Sequence, residues 1–350
     1  MITVFGGYGV FGAHVARALA ATGIPVRIAG RDADRAERFA AGLGTGHEAI
    51  SADVNEPSSC AAALAGTSVA VNCAGPFSAM SFALPEACLA AGIYYVDIAD
   101  DRGWIARLRA RDGEFRARGL AAAIGCSSLP GISGALALLA ARNLPAVESA
   151  RVTLFIGNRN PKGEAAVRAS VTQLGRSFPT PQGMLRGFHG REIVDLPPPF
   201  GPRAVYDWES PELDLFPVLL GVRAVRVKVG FEARMATRSF AGLARLGPRL
   251  GGFLLGGMAP LARHLSGFGH SGGFVKVELY APDGTCAAAA LGGAEGGQRM
   301  AALPAAFVAQ GLADGSVTAR GVVTAYEALG ADLLVARLTG VGYELSLNPS

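Results

Sequence analysis

Apolar positions over the first 140 residues alternate between two periods. Short, nearly continuous apolar runs at residues 2–5, 25–29, 49–54, 68–72, 93–98 and 120–124 predict strands buried on both faces. Between them, apolar residues return at three- and four-residue steps over 10–21, 33–43, 82–91 and 102–118, and glycine follows at Gly23 and Gly92. That spacing predicts helices. A further helix is expected over 134–142, after the last strand. Strands alternating with helices imply βαβ units and a parallel sheet.

The pattern changes after Leu144-Pro145. Residues 147–156, 224–231 and 274–280 alternate apolar and polar and carry arginine or lysine, as strands with one wet face do. The proline-rich stretch 195–202 is expected to be loop, and 303–338 to be helical. Residues 238–270 enclose a glycine-broken apolar segment, 250–262. It is too short to span a bilayer. It is expected to form a helical hairpin that covers the sheet or a dimer interface, with a substrate lid and shallow membrane association as alternatives. The fold class that follows is α/β: a Rossmann-type doubly wound parallel sheet, with a second α+β domain containing a largely antiparallel sheet.

Composition narrows the function. Half of the 350 residues are hydrophobic and 17% are charged, which excludes a disordered chain. The net charge is +4, without a run of basic residues, and aromatics make up 7%, so nucleic acid is not the expected partner. The only lysines are Lys162, Lys228 and Lys276, few candidates for a Schiff base. Cys60, Cys73, Cys88, Cys126 and Cys286 are odd in number and scattered, and no histidine pairing has metal-ligand spacing. Reduced thiols, a cytoplasmic location and no metal are expected. The chain opens directly on a strand pattern, so no signal peptide is expected. The uncharged stretches 57–85 and 119–141 are broken by Asn72, Gly75 and Pro76 and by Ser127, Ser128, Pro130 and Gly131, so no stable membrane insertion is expected.

The chemistry begins at Gly7-Tyr8-Gly9-Val10-Phe11-Gly12, a G-x-G-x-x-G motif between a strand and a helix. In that context Gly7 serves a tight turn, Gly9 lets a pyrophosphate approach the backbone, and Gly12 lets helix and strand pack closely. The helix N-terminus offers free N–H groups to phosphates. The second strand ends in Ala29-Gly30-Arg31-Asp32. Asp32 is placed either to bind a ribose hydroxyl, as in NAD proteins, or to cap the next helix. Arg31 is placed to grip a 2′-phosphate, which favours NADP over NAD.

Further strand ends should line the same crevice. Asp53 and Val54 fall where adenine would lie, with Asp53 equally suited to a cap or turn. Cys73, Ala74, Gly75, Pro76 and Phe77 fall near the nicotinamide half, where Cys73 reads as a packed small hydrophobe before a nucleophile. Asp97, Asp100 and Asp101 follow the fifth strand, with Asp101 suited to a cap. Cys126 to Gly131 follow the sixth. Asp100, Tyr94 and His189 are the candidate proton donors.

These residues resemble the saccharopine dehydrogenase-like oxidoreductases. The segments that carry the resemblance are 4–12, 71–77, 86–92, 95–99 and 124–131, with a thinner likeness from Gly311 through Gly321 and Glu327 to Gly342. The resemblance implies an NADP-linked enzyme with a second domain inserted before a C-terminal return to the first. It divides the chain into a dinucleotide-binding domain at 1–128, an α+β substrate and dimerisation domain at 129–317, and C-terminal helices at 318–350 that return to the first domain. A small-molecule substrate and a homodimer are expected. Arg151, Arg159 and Arg168 are possible partners for a dicarboxylate, whereas the apolar middle suits a less charged substrate. Three functions stand at this point: an oxidoreductase acting at a C–N bond, an enoyl-type reductase on a hydrophobic substrate, and a dinucleotide-binding protein without turnover.

Overall fold

A computed structural model describes residues 1–161, 171–247 and 268–349. The chain forms two compact units, residues 1–132 with 298–334, and residues 133–297 with 335–350.

The first unit begins with β1 (Ile2–Phe5), α1 (Val10–Ala20), β2 (Val26–Gly30), α2 (Ala33–Ala41), β3 (Glu48–Ser51) and α3 (Pro57–Ala63). It continues with β4 (Val69–Asn72), α4 (Ala83–Ala91), β5 (Tyr94–Asp97), α5 (Arg102–Arg109), α6 (Asp112–Ala117) and β6 (Ala121–Ile124). The strands pair in parallel in the order β3-β2-β1-β4-β5-β6. The order reverses between β1 and β4, the switch point beside which open α/β sheets bind ligands. Every residue of β1, β4 and β6 is buried, which is why these strands read as unbroken apolar runs. The helix expected over 102–118 is divided. It breaks at Arg111, and Asp112 turns its carboxylate to accept from the Val322 N–H at 2.7 Å.

The second unit contains α7 (Ser133–Ala141), β7 (Ser149–Ile156), β8 (Ser177–Thr180), β9 (Gly183–Arg186), β10 (Glu192–Leu196) and β11 (Gly201–Asp207). These are followed by α8 (Glu212–Leu220), β12 (Ala224–Phe231), α9 (Arg234–Ala244), β13 (Gly273–Tyr280) and β14 (Cys286–Gly293). Its main sheet is antiparallel except where β12 runs parallel to β7. Alternate positions, such as Val152, Val225, Val227, Val275 and Val277, are buried and apolar. The intervening positions carry ions. Arg151 donates to both oxygens of Glu278 at 2.9 Å, and fully buried Lys228 lies 2.8 Å from Glu192 and from Asp207. Pairing of this kind is what permits a buried charge. The proline-rich loop is shorter than expected, because β10 and β11 run into it from both sides. Pro202 is tolerated at the second residue of β11 because a strand start can lack a donor.

The tail departs most from its sequence pattern. After α10 (Gly297–Asp314) the chain forms β15 (Gly321–Thr324), then α11 (Ala325–Leu329), α12 (Ala331–Gly340) and β16 (Glu344–Pro349). β15 pairs in parallel with β6 as a seventh strand of the first sheet, and β16 pairs with β14 in the second. The tail is therefore not a set of helices returning to one domain, and 303–338 is not continuously helical. The exposed edge of β6 takes up a short β-branched run, Val322-Val-Thr324, whose apolar spacing also suits a helix. The apolar segment 250–262, the helical hairpin expected around it, and Arg168 lie outside the described residues.

Candidate functional site

The carboxyl edge of the parallel sheet gathers most of the residues singled out in the sequence. β1 ends at Phe5, and the chain turns at Gly6, whose φ of +70° only glycine adopts readily. Gly6 precedes the motif and was missed. The signal was there in the Gly6-Gly7 pair. Gly7 is required for space: a Cβ there would lie 2.8 Å from the Val4 carbonyl oxygen. Gly12 is tighter, since its Cβ would lie 2.2 Å from the Gly6 oxygen. The Gly9 N–H donates to that same oxygen at 2.8 Å, closing the turn. Helix α1 then starts with no side-chain cap and no acidic residue in its first turn. The N–H groups of Val10, Phe11 and Gly12 thus stand at a positive helix end without a built-in anion, a fit for a phosphate.

At the end of β2, Tyr8 lies over Gly30, where a Cβ would come 2.4 Å from the Tyr8 ring. The Tyr8 hydroxyl accepts from the Asp32 N–H at 3.0 Å. The Arg35 guanidinium sits over the ring, 4.7 Å from its centroid. The Asp32 carboxylate caps α2 by accepting from the Arg35 N–H at 3.0 Å. Arg31 and Arg35 are therefore the cations of this corner, and its nearest carboxylate is committed to a helix. Arg35 and the stacking role of Tyr8 escaped the sequence reading.

Asp53 resolves as a turn residue. Its Oδ1 accepts from the Asn55 N–H at 2.9 Å and from Asn55 Nδ2 at 3.2 Å, while Val54 beside it is buried. At the end of β4, Asn72 is fully buried, and its Oδ1 accepts from the Ala74 N–H at 3.1 Å. This shapes the turn that carries Cys73, Ala74, Gly75, Pro76 and Phe77. Burial pushes the Cys73 thiol up, with the Asp97 charge acting in the same direction, so Cys73 is a protonated packing residue.

Asp97, the last residue of β5, is the hub of this edge. Its Oδ1 accepts from the Gly125 N–H at 2.8 Å and the Ala99 N–H at 3.1 Å, and its Oδ2 from Trp104 Nε1 at 2.8 Å. The Tyr95 hydroxyl joins the same carboxylate and accepts from Asn72 Nδ2 at 3.1 Å. Burial pushes the Asp97 carboxyl above the usual range, against the pull of these donors. Trp104 passes the network on to Phe77, whose ring centroid is 5.3 Å away. One carboxylate thus ties the loops after β4, β5 and β6 together. The turn after β6 depends on Gly125, with φ +58° and no room for a Cβ beside the Pro130 ring at 2.4 Å.

The two neighbouring acids differ. Asp101 caps α5, accepting from the Trp104 N–H at 2.8 Å. Asp100 is exposed, yet the protein around its carboxyl pushes it up to about 6, and the adjacent Asp101 charge adds to the shift. Tyr94 does not belong to the site. It is the first residue of β5, at the opposite edge of the sheet from the glycine turn, with the Arg320 guanidinium 5.7 Å from its ring centroid. Tyr94 stands at the start of the apolar run 93–98, so the length of the strand carries it away from the crevice. His189 lies in the second unit, where its carbonyl accepts from the Asp207 N–H at 2.9 Å. Arg151 is occupied by Glu278 and Glu192, so it is not a free ligand for a dicarboxylate. Among the described residues no cluster of acids, histidines or cysteines could hold a metal ion, and no helix is long and apolar enough to cross a membrane.

Comparison with known proteins agrees with this geometry. Residues 2–117 match the family described as saccharopine dehydrogenase NADP binding domain. No curated protein matches the chain. The apo histidine-tagged saccharopine dehydrogenase (L-Glu forming) from Saccharomyces cerevisiae has a similar structure. It superposes with a TM-score of 0.70 at 14% identity, covering 99% of each chain. A short-chain type dehydrogenase/reductase from Mycobacterium ulcerans aligns over 35% of this chain and 65% of its own, with a TM-score of 0.31 and 16% identity. Residues 2–117 thus form a domain of the saccharopine dehydrogenase NADP-binding kind, carried in a chain whose fold is shared with the yeast enzyme.

Proposed function

We propose that the protein is an NADP(H)-dependent oxidoreductase that transfers hydride to or from a small substrate at a C–N bond. The observation that carries this reading is the corner after β2. The Asp32 carboxylate is spent on capping α2, and Arg31 and Arg35 stand beside it. An NAD site uses a free carboxylate there, whereas a 2′-phosphate suits guanidinium groups. The C–N assignment rests on likeness to the yeast enzyme alone.

The nucleotide, when bound, supplies the hydride chemistry. The chain's own part is to bind and orient. The N–H groups at the start of α1, with Gly7 and Gly9 beneath them, would hold the pyrophosphate. Tyr8, Arg31 and Arg35 would hold the phosphorylated ribose. Asp53 and Val54 would border the adenine, and Cys73 to Phe77 the nicotinamide half. Asn72, Asp97 and Trp104 keep the nicotinamide-side loops in one geometry. Asp97 is too deeply bonded to exchange protons with a substrate. Asp100 is open to water and holds a proton up to about pH 6, so it is the better candidate to donate one.

The test is consumption of reduced nicotinamide by the purified protein, with NADPH and NADH offered separately against cyclic imines and against enones. Turnover of imines with NADPH supports the reading. Turnover of enones alone moves the activity to C=C bonds. Tight NADPH binding with neither class consumed identifies a dinucleotide-binding protein without turnover.

A further inference from the structure

The second unit contains a cavity for which the nucleotide reading has no use. Its volume is about 230 Å³, and its walls include Arg191, Arg203, Phe231, Arg234 and Arg238. We propose that this cavity binds a compact polyanion of the size and charge of an inorganic diphosphate.

The four guanidinium groups come from three places: the residue before β10, the strand β11, and the first turns of α9. No aspartate or glutamate lines the cavity among the described residues. None of the four arginines is in an ion pair with a described residue, whereas Arg27, Arg111, Arg116 and Arg151 elsewhere each hold a carboxylate. Gathered like charges oppose the compact state unless an opposite charge joins them.

Arg203 supplies an independent sign. Its Nε is buried without a hydrogen-bond partner, and its Nη1 reaches only the neighbouring Pro202 carbonyl at 3.1 Å. Buried donors are rarely left unmade, and a missing ligand is one reason for an exception. Thr237 does not compete for the anion, because its hydroxyl is turned to the carbonyls of Phe231 and Ala233 at 3.0 and 3.2 Å. Helix α9 adds a positive end, with no side-chain cap and no acid in its first turn.

Size limits the occupant. A water occupies about 30 Å³ in the liquid, so the cavity holds the equivalent of only a handful of waters and is smaller than the roughly 300–1,000 Å³ of a drug-sized site. A whole dinucleotide does not fit, whereas a diphosphate or a tricarboxylate does. The guanidinium fork matches phosphate and carboxylate alike, so the chemistry shared by both is a compact group with three or more negative charges.

The test is calorimetric titration of the full chain at low salt with inorganic pyrophosphate and, separately, with citrate. NADPH is present at saturation so that the glycine turn is filled. One equivalent should bind. Arg203→Gln and Arg234→Gln should each weaken it about tenfold or more, as expected for loss of a hydrogen bond between charged groups. Arg176→Gln, which makes the same charge change at an exposed position outside the cavity, should leave it unchanged. Tighter binding of pyrophosphate identifies a phosphorylated ligand, and tighter binding of citrate a polycarboxylate. Either supports the site. Thermal unfolding of each variant checks that the fold survives. No binding of either anion, or equal weakening by Arg176→Gln, overturns the proposal. Pyrophosphate binding that ignores both Arg203 and Arg234 overturns it as well.

Discussion

Replacing Asp97 with alanine removes the acceptor of three buried N–H donors at once, those of Gly125 and Ala99 and the indole N–H of Trp104, besides that of the Tyr95 hydroxyl, which can rotate away. An orphaned buried donor costs about 1–3 kcal/mol, so the sum is roughly 3–9 kcal/mol, and entry of a water into the small void should bring the loss to about 4 kcal/mol. Asp97→Asn is milder. It keeps Oδ1 for the two backbone donors and turns an amide N–H₂ toward Trp104, for a loss of about 1–3 kcal/mol. The pH dependence has a definite sign. Burial raises the Asp97 carboxyl above its unfolded value, so over that interval the native state binds the proton and the unfolded chain does not. The Asp97 contribution is therefore complete below the unfolded value of about 3.9 and is lost as pH rises through the native one. Asparagine has no such titration. The stability gap between wild type and Asp97→Asn should narrow as pH rises above the unfolded value of about 3.9. Urea unfolding in a Trp208→Phe background leaves Trp104 as the sole indole reporter. A gap that widens with pH, or an alanine variant no weaker than the asparagine one, would refute the reasoning.

Arg31→Gln should weaken NADPH about 10- to 100-fold and leave NADH unchanged, since a hydrogen bond to a charged group is worth about 1.5–3 kcal/mol. Asp32→Ala should cost about 1 kcal/mol of stability without altering the cofactor ratio, and fluorescence titration of both nucleotides separates the two effects. Gly12→Ala must push α1 away from the Gly6 oxygen and should abolish nucleotide binding, read by the same titration. A rate that needs protonated Asp100 should fall as pH rises through about 6, and Asp100→Asn should cut kcat about 100-fold and flatten that limb in a pH–rate profile. In the second unit burial opposes ionisation of Glu232, yet the N–H groups of Asn158 and His270 and the His270 ring hold its carboxyl below the usual range. Its stabilisation is present above the unfolded value and lost as pH falls through the native one, so Glu232→Gln should cost more stability near neutral pH than in acid, measured by urea unfolding.

The first unit was legible in the sequence because its strands are covered on both faces. That burial demands unbroken apolar runs, and the glycines of the first turn admit no other residue. The corner after β2 was half legible. Asp32 and Arg31 could be named, but only the fold brings Arg35 one helical turn later onto the face of Tyr8. Asp97 was visible as an acid after a strand, whereas its donors come from Ala99, Trp104 and Gly125 on separate segments, and their meeting is a property of sheet order. Tyr94 was misplaced for the same reason, since a strand of four residues has two ends about 10 Å apart. β15 was hidden because three apolar or β-branched residues carry no period of their own, and the vacancy beside β6 decides their state. The cavity of arginines had no sequence signal, in a chain where arginine is spread throughout.

The divided tail has a consequence for synthesis. The partner of β6 is β15, and roughly 200 residues separate them, which at about 5–20 residues per second take roughly 10–40 s to emerge from the ribosome. Throughout that interval the nascent first sheet presents Ala121-Ala-Ala-Ile124 as an apolar edge with its N–H and carbonyl groups unpaired, a template for pairing with another chain. The edge of the second sheet beside β14 waits as well, until β16 is made. Neither sheet can be completed until its late strand has emerged, so newly made protein depends on chaperone cover more than its finished fold would suggest. A ribosome stalled before residue 321 would leave two open-edged sheets rather than one finished domain and one missing.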